Sequence, residues 1–265
     1  MSYNAYDMKL RKQKNSIDLL RELIKTNLKL RYNDSLLGVL WVMMKPLLNF
    51  LVLFFVFSAF RGGVDKENYA ASLLIGLIVY TFIQEGITFG MNSLLSMQGI
   101  ILKVNFPRNL AVLSAVLVSM INFFINLFII LLLTLFVNFV PNPLGVLYFF
   151  LIMLVILVII YSASLILSIL VIRIRDLENI VPIFFQLLFW GSAIFYDINS
   201  LSGTVGDIVR HNPVAILIDA SRQALINGSF NYLHEMAFLV VVALVMFVVS
   251  RLFFNVEVKK IAEHI

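Results

Sequence analysis

Glu85 lies beside Gln84 inside Tyr69–Gly90, a run that is otherwise mostly apolar or small. An ionisable side chain in such a run is costly to bury, so it marks a site by default. It has two uses. It can contact a passing polar substrate or a partner helix, or it can sit near a helix end and reach water or a backbone donor. Lys45, just before Pro46, has a long apolar stem that lets its ammonium snorkel to an interface. Asn122 and Asn126 stand four residues apart on one helix face. They can bond across a helix interface or line a polar path, and the spacing favours the first.

Other chemistries are missing from the text. No G-x-x-x-x-G-K-[ST] loop is present to cradle phosphates, so ATP hydrolysis by that mechanism belongs elsewhere. His234-Glu235 opens like a zinc-protease pair, but Phe238 occupies the second histidine position. The other histidines, His211 and His264, lie outside the apolar runs, and no G-x-S-x-G elbow occurs. With no cysteine, thiolate metal sites and disulfides are excluded. No cofactor or metal is expected on this chain, and no enzymatic activity.

Aromatic residues cluster more tellingly. Phe54, Phe55, Phe57 and Phe60 fill one half of a run, and Phe184, Phe185, Phe189, Trp190, Phe195 and Tyr196 fill another. Their faces suit the apolar faces of sugar rings, which would line a glycan path; equally they suit lipid contact and interfacial anchoring.

The elements that must hold these residues follow from hydropathy. Of 265 residues 61% are hydrophobic and 13% charged, more apolar surface than a soluble domain can conceal. About 20 apolar residues cross a bilayer as a helix. Six such runs are expected: Leu36–Phe60, Tyr69–Gly90, Leu110–Phe139, Leu144–Val171, Ile180–Tyr196 and Glu235–Phe254. The reading is an all-α membrane protein with six transmembrane helices and no cleavable leader. Under it sixteen Lys and Arg fall on the side of the termini and four (Arg61, Lys66, Arg210, Arg222) on the other. The positive-inside rule then places both termini inside. The net charge of +5 reflects topology and anionic lipid rather than nucleic acid.

Residues 1–35 form a cytoplasmic segment preceding the 36–265 membrane domain. Within it Ile17, Leu20, Leu23, Ile24, Leu28 and Arg31 keep helical spacing, with Arg21, Lys25 and Lys29 on the other side. This predicts an amphipathic interface helix capped at Asn15 or Ser16, ending near Arg31. On the outer side Asp197–His234 is too polar for another pair of spans; two short re-entrant helices broken at Pro213 are expected. Gly86 and Gly90 make a G-x-x-x-G that admits close helix approach. Two inner loops carry distinctive text. Residues 93–108 are amphipathic, contain Gly99 and end in Lys103, Asn105, Phe106, Pro107 and Arg108; Arg173, Arg175, Asp176 and Glu178 form a compact charged knot that pairs internally or with a partner.

Arg31-Tyr32, Leu37-Gly38-Val39-Leu40-Trp41 with Pro46, Lys103 with Asn105-Phe106-Pro107-Arg108, Arg175-Asp176-Leu177, Phe189-Trp190 to Tyr196, and Asn212-Pro213 occur in this order over nearly the whole chain. The set resembles the ABC-2 family of ATP-binding-cassette transporter permeases, particularly its polysaccharide-export branch. The resemblance implies a permease of the bacterial inner membrane, two copies working with two copies of a separate ATPase that binds ATP and Mg. It implies a coupling helix at about 93–108 seated in that ATPase, and outer gate helices at about 206–228 around Asn212 and Pro213. The cargo would be an undecaprenyl-linked glycan such as O-antigen, capsule-like polymer or wall teichoic acid. Phe54, Phe57, Glu85, Phe185, Phe189, Trp190 and Tyr196 would line its path. Other readings are an ABC-2 exporter of a drug, lipid or peptide, and an ion-coupled secondary transporter.

Overall fold

The computed structural model describes residues 2–32, 38–60, 66–101, 106–136, 141–198 and 200–261. The described residues are helical, with no strand among them. In order they form α1 (Ser2–Tyr32), α2 (Leu40–Phe60), α3 (Lys66–Met91), α4 (Ser93–Ser96), α5 (Gln98–Ile101), α6 (Asn109–Phe136), α7 (Pro143–Arg173), α8 (Leu177–Trp190), α9 (Gly203–His211), α10 (Pro213–Arg222), a π-helical turn (Gln223–Asn227) and α11 (Leu233–Ile261). Five of these, α2, α3, α6, α7 and α11, are long and apolar enough to cross a membrane. The fifth expected block is shorter than predicted: α8 has 14 residues and stops at Trp190, where Gly191 caps it and Ala193 takes a positive φ of 53°.

α3 is the axis of the bundle, buried on nearly all sides against α6 and α7, with α2, α8 and α10 completing its surround. The G-x-x-x-G does its work within this chain. A Cβ on Gly86 would stand 2.6 Å from Ile160 Cγ2, and one on Gly90 would stand 2.3 Å from Ser164 Cβ. Only glycine lets α3 lie this close to α7.

Helix starts follow a repeated local rule. Asn142 caps α7 by accepting from Leu144 N at 2.9 Å, and Asn212 caps α10 by accepting from Val214 N at 3.0 Å. Each is followed by a proline at the first helical position, where a missing N–H costs nothing. The break expected at Pro213 is therefore present, with a short helix on each side.

α1 is not capped at Asn15 or Ser16 but runs unbroken from Ser2, because the Lys-, Arg- and Leu-containing stretch ahead of them is itself helix-favouring. It lies against α6: Leu23 is buried with Leu94, Met97 and Val112, and Asn27 Nδ2 donates to Ser114 Oγ at 2.9 Å. Together with α4, α5 and the end of α11 it marks one end of the bundle. α9, α10 and the π turn mark the other.

Candidate functional site

A trough runs along α2, α3 and α8. At the α1 end it opens as a cavity of about 440 Å³ walled by Arg31, Tyr32, Trp41, Lys45, Gln84 and Glu85, among others. A second cavity of about 540 Å³ continues it, sharing Asn49 and Gln84 and walled by Tyr80, Phe185, Phe189 and Trp190. Val52, Gln186 and Trp190 on its rim are exposed, so the trough is open along one side.

The charged end is held by a polar chain across three helices. Asn122 Nδ2 on α6 donates to Glu85 Oε2 on α3 at 2.8 Å, and it also lies 2.9 Å from the Tyr32 hydroxyl on α1. Asn122 thus bonds across a helix interface as its spacing predicts, and the same contact fixes Glu85 at the cavity wall. Asn126 is buried too, but its Oδ1 has no hydrogen-bond partner among the described residues. Arg31 lies on the inward side of α1, in register with the apolar residues and away from Arg21, Lys25 and Lys29. Its guanidinium lies 3.5 Å above the Phe89 ring, a cation–π contact. Burial pulls it below its ordinary pKa, while Tyr32 and Glu85 oppose that shift. Arg21 and Lys29 remain exposed, and Lys25 pairs with Glu22 at 2.7 Å. Two cations, Arg31 and Lys45, thus face one carboxylate across this cavity.

The middle of the trough is aromatic. Tyr80 donates its hydroxyl to the Phe185 carbonyl and sets its ring edge-on to Phe189, with centroids 5.3 Å apart. Of the seven residues expected along the path, Glu85, Phe185, Phe189 and Trp190 line this trough, and Tyr196 lines a separate cavity at the far end. Phe54 and Phe57 line neither of these cavities. Phe54 stacks on Phe50 and Tyr69, and Phe57 on Phe195 at 4.6 Å. They brace α2 instead.

At the α1 end, α4 and α5 are two short turns where one coupling helix was expected, and Lys103 and Asn105 lie outside the described residues. A side chain on exposed Gly99 would meet open space. Phe106 packs on the Leu23 cluster, Pro107 is exposed, and Arg108 donates to the Val258 carbonyl of α11 at 2.7 Å. In the charged knot Arg173 pairs with Glu257 of α11, while Arg175, Asp176 and Glu178 are exposed.

At the opposite end Asn212 Nδ2 donates to Gly191 O at 2.9 Å, tying α10 to the end of α8. The charge count puts Arg222 among the four outer cations. It is buried, and its guanidinium donates to Ser72 O at 2.8 Å, to Ala193 O at 2.7 Å and to Ile194 O. Asp219, one turn earlier, is buried and accepts from the Tyr232 hydroxyl at 2.7 Å. Sequence reasoning missed both. The available signal was a pair of ionisable residues three apart in an otherwise apolar helix.

The family model described as "ABC-2 type transporter" matches residues 18–226. The chain belongs to that family. Among its relatives, two proteins of Klebsiella pneumoniae named O-antigen export system permease protein RfbA are each 29% identical to it. One aligns over 81% of this chain and 83% of its own length, the other over 90% and 91%. A Myxococcus xanthus protein of the same name is 24% identical over 69% of this chain and 70% of its own length. This ABC-2 permease is accordingly a multi-pass inner-membrane transport subunit, and its family match covers α2 through α10, including the whole trough.

Proposed function

We propose that this permease is the membrane half of an ATP-driven exporter of a lipid-linked polysaccharide. The observation that carries the reading is the side-open trough, charged at the α1 end and aromatic along its middle. A polar polymer head can enter such a trough laterally while its lipid stays in the bilayer, and aromatic walls slide along sugar faces without demanding one sugar. The named function of the relatives points to the same cargo class.

In this reading two copies face each other across their troughs and close a continuous channel, since a long polymer cannot be enclosed in an alternating cavity. α8 and the turn after it make the fifth of six passes, and both termini face the cytoplasm. Residues 1–35 serve as the interface segment and 36–265 as the transport domain. Exposed Gly99 and Pro107, with Lys103 and Asn105 between them, meet a separate ATPase, two copies per complex, which carries ATP and Mg. Through Arg108 and Arg173 a push on that surface reaches the end of α11. A loop transmits work only if it binds its partner differently in two states. α9 and α10 around Asn212 and Pro213 close the outer mouth.

The test is reconstitution. Permease and ATPase in liposomes are expected to move labelled lipid-linked glycan, and an ATPase-dead complex is expected to stall. Transport by the permease without any ATPase would refute the reading.

A further inference from the structure

At the end of the bundle opposite α1, a cavity of about 220 Å³ separate from the trough opens between α3, the turn after α8, and α10 with its π turn. We infer that it is a binding subsite for a single neutral, hydroxyl-rich sugar residue of the exported polymer. The inference rests on the polysaccharide reading above and adds to it a place of recognition.

The size fits one ring. About 220 Å³ is the space of roughly seven waters at about 30 Å³ each, enough for a six-membered ring with its hydroxyls. The lining suits that ligand. Asp197 and Asp219 supply carboxylate acceptors, Asn68, Gln223 and Asn227 supply planar amides that both donate and accept, and Tyr69 supplies an aromatic ring. Among the described lining residues two carboxylates stand against one guanidinium. The one guanidinium, Arg222, donates to three backbone carbonyls. A ligand that donates many hydroxyl protons is favoured, and an anionic sugar is disfavoured. A metal ion is a poor fit, because Arg222 borders the space and no group of three metal-ligating side chains occurs among the described residues.

The cavity is also built in a way that ordinary packing does not require. Among the described residues only Ala193 and Tyr232 are non-glycine residues with positive φ, 53° and 68°. Both belong to its frame: Ala193 O accepts from Arg222, and the Tyr232 hydroxyl donates to Asp219. Backbone strain of this kind persists where the surroundings hold it, commonly at sites. The π turn adds a residue to the helix and carries Gln223 and Asn227 on one face, where Asn227 Nδ2 donates to Gln223 Oε1 at 2.6 Å. Single π turns are frequent at functional positions. Gly76 completes the fit, since a Cβ there would stand 2.4 Å from Arg222 Nη2.

The experiment uses the full chain in lipid nanodiscs. Methyl glycosides of neutral hexoses, with a methyl hexuronide as anionic control, are tested by saturation-transfer NMR and titrated. Neutral glycosides are expected to bind and the hexuronide to bind at least tenfold more weakly. Asp219→Asn, and separately Gln223→Ala and Asn227→Ala at the cavity margin, are expected to weaken binding about tenfold, the loss of one or two hydrogen bonds. The margin variants keep the test alive if Asp219→Asn does not fold. No saturation transfer from the wild type to any neutral glycoside, or equal binding by wild type and folded variants, would overturn the subsite. Export of glycan with the ATPase is scored in parallel. Export with no sugar bound removes the subsite and leaves the exporter; residue-dependent binding without export removes the exporter and leaves the subsite.

Discussion

Gly90→Ala adds one methyl group at the tightest point of the α3–α7 crossing. Its Cβ would stand 2.1 Å from Ser164 Oγ and 2.3 Å from Ser164 Cβ. The hydroxyl can rotate away, but Ser164 Cβ is fixed to the α7 backbone. Ordinary contact begins at 3.4 Å, so the helices must part by roughly 1 Å, which also loosens dispersion contacts on both sides of the crossing. Overpacking of this kind costs about 1–3 kcal/mol, and the upper half of that range is expected here because no flexible side-chain end can yield. Glu85 and Gln84 ride on the same helix, so the shift should also narrow the trough and lower export. Ser164→Gly removes both clashing atoms. Apparent Tm in detergent is measured for wild type, both single variants and the double variant. Gly90→Ala is expected to lower it clearly, and the double variant to recover at least about 1 kcal/mol relative to additivity. A Gly90→Ala protein as stable as wild type, or a double variant showing only the summed losses, would refute the reasoning.

Asn27→Ala removes a buried hydrogen bond to Ser114 and should cost about 1–2 kcal/mol; faster limited proteolysis between α1 and α2 is the readout, and an unchanged rate would mean that Leu23 alone holds the helix. Arg108→Glu takes the donor from the Val258 carbonyl, so export should fall while far-UV circular dichroism stays unchanged; normal export would contradict the coupling role. Tyr232 has its pKa raised above the ordinary 10.0, first by burial and then by its hydrogen bond to Asp219. A raised acid binds its proton more tightly in the folded state, so its contribution is intact below pH 10.0 and lost as the pH climbs towards the folded value. Tyr232→Phe should be about 1 kcal/mol less stable at neutral pH yet lose less on going to strongly alkaline pH, and parallel Tm profiles would count against it.

The long helices were legible because their apolar blocks exceed what a soluble core needs, and the break before α10 because Pro213 interrupts the run; the caps at Asn142 and Asn212 come from the structure. The length of α8 was hidden: Phe195 and Tyr196 read as a continuation of its aromatic run, while Gly191 and the positive φ at Ala193 end it. Glu85 stood out because a lone carboxylate in an apolar run has few uses, and it lies at the wall of the trough. The partners of Arg31 and Arg222 were not legible. Three backbone carbonyls bind the second and a phenylalanine face covers the first, and neither partner is near in sequence. Phe54 and Phe57 show the same limit, for composition cannot say which side of a helix an aromatic faces.

α8 rises only about 21 Å over its 14 residues, against a hydrocarbon core of about 30 Å. In the proposed six-pass arrangement the helical part of this pass falls short of the core on one flank of the trough, a hydrophobic mismatch. Lipid beside α8 must thin, or headgroups and water must dip along it, while the carbonyls of Ala193 and Ile194 just past its end are already met by Arg222. On the proposed path, a hydrophilic solute travelling beside α8 meets an apolar layer about a third thinner than the full core. A bilayer made thicker by longer acyl chains should stretch that defect and slow passage, which makes membrane thickness itself a control on this permease.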